Sequence, residues 1–181
     1  MATVEPSNVR FKLARATGPG NSGPSGALGT SLGPFMSTIS PREGDWFPNV
    51  SGAENEAEVT EYQVFFVYNN QPNNETGMQS VVVSIDNVPG GTVCALWADP
   101  IGAVSATSDD DQSLSVDNIN TAPEGSGASD SSLGDFSTED ISLGTIGPRQ
   151  CAAFWVRRKA SNANAVDGDG FTITVNWDTS A

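Results

Sequence analysis

Histidine is missing from the chain altogether. Its absence removes the commonest general base at neutral pH, the Ser-His and Cys-His nucleophile pairs and most transition-metal sites, so no catalytic residue, metal or cofactor is expected and the protein is not read as an enzyme. Lys and Arg are also missing between Glu43 and Pro148, a window that holds all the acidic residues except Glu5, Asp167, Asp169 and Asp178. With a net charge of −14, such a surface repels nucleic-acid phosphates, and no nucleic-acid partner is expected. The longest apolar run, CAAFWV at 151–156, is far short of a bilayer span, and no basic segment leads into an apolar stretch at the start. No membrane partner and no secretory signal are therefore expected. Only two cysteines occur, Cys94 and Cys151, both within apolar strand-like runs; they read as buried reduced thiols, with a cross-strand disulfide as the alternative.

What is present is turn chemistry between short runs of Val, Ile, Phe and Trp: 19 Gly and 11 Pro, with many Ser, Thr, Asn and Asp. This is the composition of an all-β protein. The alternation predicts strands near 61–69, 79–86, 92–98, 101–106, 112–119, 141–146, 150–158 and 170–177, hence an antiparallel β-sandwich of jelly-roll or immunoglobulin-like type. SGAENEAEV at 51–59 has helical propensity but is too short to organise a fold. NVPGG at 87–91 is short enough to join sheet neighbours, and 150–158 with 170–177 reads as a hairpin or a near pair. In FTITVNW the residues Phe171, Ile173, Val175 and Trp177 should face inward. The stretch 120–140 reads as a long polar loop.

One strand does not fit a simple two-layer picture. TEYQVFFVYNN puts Tyr62, Val64, Phe66 and Tyr68 on one side and Phe65 and Val67 on the other, so both faces need cover, from this chain or from another. At the N-terminus, VRFKLAR (9–15) fits a strand with a basic face formed by Arg10, Lys12 and Arg15. A Gly/Pro/Ser-rich segment follows, carrying apolar pegs at Leu28, Leu32, Phe35, Met36 and Ile39, which suggests an extended arm lying along a surface. The expected organisation is an N-terminal strand and arm, 1–43, then a sandwich domain, 44–181.

In FWVRRKA, Phe154 and Val156 should face opposite to Trp155 and Arg157, so that a buried strand emerges with Arg157, Arg158 and Lys159 at its end. These residues could meet acids of the same chain or of a partner. SDDDQS (108–113) and VDGDG (166–170) offer hard oxygen ligands but lack the spacing of a calcium loop, and read as solvated turns. Trp46 and Trp97 are candidate stacking platforms for a carbohydrate, whereas Trp155 and Trp177 fall on inward faces.

Together VRFKL, the arm with Ser31-Leu32-Gly33, WFPNVSGAE, TEYQVFFVYNN and FWVRRKA resemble, in their order, a group of structural proteins of tailed-bacteriophage virions. The chain departs from that pattern at Pro34, where a second Gly is usual, and at Gln63, where an Arg is usual. The resemblance implies a particle component made in the host cytoplasm. The expected function is a capsid decoration, or cement, protein on the outer capsid surface, trimeric by that reading, binding the major capsid protein through Arg10, Lys12, Arg15, Leu28, Leu32, Phe35, Arg157, Arg158 and Lys159. The alternatives are a tail, neck or fibre-attachment component and a carbohydrate-binding sandwich module.

Overall fold

The fold is that of a computed structural model describing residues 4–15, 31–42, 46–47, 52–73, 75–87, 92–124, 136–160 and 170–179. It is an all-β sandwich of two antiparallel sheets. The strands are β1 (Val9–Arg15), β2 (Phe35–Met36), β3 (Thr60–Asn69), β4 (Met78–Asn87), β5 (Val93–Ser105), β6 (Ile141–Ile146), β7 (Gln150–Lys159) and β8 (Phe171–Thr179). A single helical turn, Gly52–Glu56, precedes β3. The large sheet has the order β2-β1-β3-β7-β5 and the small sheet β6-β4-β8. Among the described residues no helix is long and apolar enough to cross a membrane.

The strand positions follow the alternation, but the pairing does not follow chain order. From β3 to β8 each strand lies in the sheet opposite to the one before it. The expected hairpin of 150–158 with 170–177 is therefore absent: β7 pairs with β3 and β5, and β8 pairs with β4. The strands flanking NVPGG are likewise not sheet neighbours. What joins them is the side chain of Asn87, which donates to the Cys94 carbonyl at 3.0 Å and accepts from its amide at 2.7 Å.

The core between the sheets gathers Leu13, Phe65, Val67, Leu96, Phe154 and Val156 from the large sheet against Met78, Val81, Val83, Ile85 and Ile146 from the small one. Phe171, Ile173, Val175 and Trp177 pack on it from β8, as the alternation predicts, with Thr172, Thr174 and Asn176 exposed. The other face of the large sheet is just as apolar: Tyr62, Val64, Phe66, Trp97, Ala153 and Trp155 form a second buried cluster. Its cover comes from this chain. Leu114, Val116, Ala122 and Phe136 pack on it from irregular segments, and Met36 from the short strand β2. The two-faced strand is thus the middle of three layers, the third of which is not a sheet.

The predicted strand at 112–119 belongs to that third layer and is not a strand. Its amides bond to the other irregular segment, Gln112 and Ser113 to the Pro34 carbonyl and Val116 to the Leu32 carbonyl. Buried polar side chains complete the attachment. The Ser31 hydroxyl accepts from the Ala14 amide and donates to the Val64 carbonyl where β1 and β3 part. Gln112, wholly buried, accepts from the Met36 amide and donates to the Ser105 carbonyl. Asp99 sits in the irregularity of β5 between Ala98 and Ala103 and accepts from the Leu114 amide and the Trp155 indole, each at 2.9 Å.

β1 is a strand of the large sheet, and residues 31–39 bond to its end through the Ser31 hydroxyl and the Ser37 and Leu13 amides. Leu28 and the rest of 16–30 lie outside the described residues. The two cysteines form no disulfide, because Cys94 and Cys151 point to opposite faces of the large sheet and join different clusters. Burial pushes the Cys151 thiol up to about 12, so it stays protonated and unreactive.

Gly33 adopts φ +82°, and a β-carbon there would collide with the Leu114 carbonyl in the third layer. Gly144 has φ +71° but open space around it. Gly33→Ala should therefore cost about 3 kcal/mol, backbone strain plus overpacking, and Gly144→Ala about 1 kcal/mol from strain alone. Urea unfolding of the two variants measures the difference.

Candidate functional site

The two groups of basic residues singled out in the sequence lie at opposite ends of the large sheet. Arg10 and Lys12 of β1 stand opposite Tyr68 and Phe66 of β3, whereas Arg157 stands opposite Tyr62.

At the β7 end the charges are turned to the chain itself. Arg157 and Arg158 face opposite ways, as expected: the Arg157 guanidinium lies 5.2 Å from the Phe136 ring centre and that of Arg158 4.6 Å from Phe47. Arg158 is buried, and its Nε donates to Glu61 Oε2 at 2.8 Å with Nη2 on the same oxygen. Lys159 pairs with Glu58 at 2.7 Å on the surface, and its hydrogen bond and charge hold the Glu58 carboxyl below its ordinary value. Burial raises the Tyr62 hydroxyl, with Arg157 opposing.

At the other end the basic residues face outward. Arg10 is exposed and its side chain reaches only the Val9 carbonyl. Lys12 is half-buried and donates to the Thr38 carbonyl at 2.7 Å; burial and then Arg10 lower its pKa. Arg149, which the sequence reading did not select, joins them: it is exposed and its Nη1 donates to the Tyr68 hydroxyl at 3.1 Å and to Asn70 Oδ1 at 2.7 Å. The result is a basic group of Arg10, Lys12 and Arg149 around Tyr68.

Arg15 does not belong to the expected basic face of β1. It has the same parity as Phe11 and Leu13, so the strand turns it inward, and it is 1% exposed. Burial lowers its pKa. Leu32 and Phe35 are half-buried, Leu32 accepting from the Val116 amide and Phe35 standing opposite Arg15 in β2.

The indoles are taken up in packing. Trp97 is 5% exposed against Phe136, Trp155 is wholly buried, and Trp46 packs on Phe11, Phe65 and Phe171. Among the described residues no group of three or more Cys, Asp or Glu side chains is placed to hold a metal ion. SDDDQS forms a turn in which the Asp110 amide bonds to Ser108 Oγ, and 166–169 lies outside the described residues. Comparison with protein-family models, with curated proteins and with solved structures returns no match for this chain.

Two expectations follow. Glu61→Gln leaves the Arg158 guanidinium buried without its counter-ion and should cost about 3 kcal/mol, much of which a Glu61→Leu, Arg158→Met double substitution restores; equilibrium denaturation reads both. Asp99→Asn has one acceptor oxygen where Asp99 uses two, against the donors of Ile101, Leu114 and Trp155, and should cost about 2 kcal/mol. Burial raises the Asp99 pKa above 3.8, so the folded state binds a proton more tightly than the unfolded chain. Its contribution to stability is greatest below 3.8, falls as pH rises through the folded value, and is level above it. Urea unfolding across that range should show this component in the wild type and not in Asp99→Asn.

Proposed function

We propose that the protein is a structural component of a tailed-bacteriophage particle, a decoration protein on the outer capsid surface that clamps neighbouring major capsid subunits as a homotrimer. The order of the five resembling segments supports the particle as its setting, and one geometric observation carries the attachment: on a chain of net charge −14, Arg10, Lys12 and Arg149 form a basic group at one end of the large sheet, Arg10 and Arg149 exposed and Lys12 half-buried. An acidic patch on a capsid subunit complements it. Opposite potentials steer association and fix register more than they add raw affinity.

The mechanism is mechanical and needs no catalytic group. A protein that binds only the assembled lattice shifts the equilibrium toward that lattice by mass action, and several weak contacts per trimer add through effective concentration. The acidic remainder of the surface faces solvent and keeps a protein present in many copies from self-association.

Quantitative mass spectrometry of purified particles tests the reading. A copy number near that of the major capsid protein, or a simple lattice fraction of it, is the expected result. A few copies per hundred capsid subunits would assign the chain to the tail or neck, and absence from particles would overturn the proposal. Reversing charge at the basic group, Arg10→Glu with Arg149→Glu, should weaken attachment on the order of tenfold or more while far-UV circular dichroism stays that of the wild type.

A further inference from the structure

Two side chains on either side of Ser31 hold buried polar atoms with no hydrogen-bond partner among the described residues: the three guanidinium nitrogens of Arg15 and the carboxamide nitrogen of Gln63. Arg15 is 1% exposed and Gln63 0%. The β1–β3 register ends at Leu13 against Phe65; Arg15 and Gln63 each lie two positions beyond that pair, with the parity of the face turned to the small sheet. Ser31 fills the gap where the strands part, accepting from the Ala14 amide and donating its own amide to Gln63 Oε1 at 2.8 Å. That bond fixes the carboxamide: its oxygen is occupied, and its NH2 is the end left over.

In the adjoining row of the same face the Glu61 carboxylate is engaged by Arg158 through Oε2. The unpartnered buried atoms at this spot are all donors, and Arg15 forms no ion pair among the described residues. A cation held from water without an acceptor is unfavourable, whereas the planar guanidinium fork matches two oxygens of a carboxylate or phosphate.

We propose that Arg15 and Gln63 form an oxyanion site, the guanidinium taking two oxygens of a carboxylate or phosphoryl group and the Gln63 NH2 donating to it as well. The inference is independent of the particle reading, and its test uses the isolated full-length chain.

Thermal melts in chloride buffer, titrated with sodium acetate or inorganic phosphate at fixed ionic strength, compare the wild type with Arg15→Met and Gln63→Glu. The wild-type Tm should rise saturably with at least one anion. Arg15→Met should melt no lower than the wild type without the anion and keep only the shallow, unsaturating rise that excluded salts give any protein. Gln63→Glu retains an acceptor for the Ser31 amide and sets a carboxylate beside the guanidinium, so it should melt higher than the wild type and lose the saturable response. Saturation by acetate at lower concentration than by phosphate assigns a carboxylate ligand, and the reverse order a phosphoryl one. Equal responses in the wild type and Arg15→Met, or no saturable response to either anion in the wild type, would overturn the site.

Discussion

The structure depends on the fact that β3 and β7 are apolar on both faces. A strand of that kind needs two covers, and the rest of the chain is arranged to provide them. The small sheet is one. The other is built from irregular segments, whose backbone amides and carbonyls cannot pair in a ladder and must still be satisfied when buried. Ser31, Gln112 and Asp99 are the answer: each is buried and each accepts from backbone amides of the third layer or of the strands beside it. Polar side chains in this core thus stand where a third sheet would have supplied main-chain partners.

The same constraint sorts the charges. Parity along β1 sends Arg10 and Lys12 outward and Arg15 inward, and parity along β7 sends Arg158 to the inter-sheet face and Arg157 to the third layer. A cation that the strand turns inward is costly unless it finds a partner or lies over a ring. Arg158 does both, with Glu61 and Phe47. The outward cations are left at the end of the sheet where Arg149 meets Tyr68.

Strand positions were legible because a half-buried strand writes its period into the sequence, as FTITVNW does without exception. The two-faced character of TEYQVFFVYNN was legible for the same reason. Pairing was not, because turn chemistry such as NVPGG states that the chain reverses but not which sheet it enters. QSLSVDNI alternates like a strand, yet its neighbours are the irregular residues 32–34, so alternation there reflects burial against a sheet and not membership of one. Of the candidate site, Arg10 and Lys12 could be read from their alternation with Val9, Phe11 and Leu13. Arg149 could not, since its place depends on Tyr68 and Asn70, 81 and 79 positions away. Arg15 was legible as charged but misplaced, because its parity was that of the buried residues.

The alternation of strands between sheets also governs how the protein is made. Glu61 on β3 and its partner Arg158 on β7 are 97 positions apart, so during synthesis the most apolar strand of the molecule waits for its central neighbour until nearly the whole chain has emerged. Such long-range pairing is slow, and an exposed apolar strand is the kind of segment that aggregates while it waits. The intervening stretch carries acids and, up to Pro148, no Lys or Arg. Nascent chains with that stretch extended repel one another, and the charge that dresses the finished surface also acts as a chaperone built into the sequence.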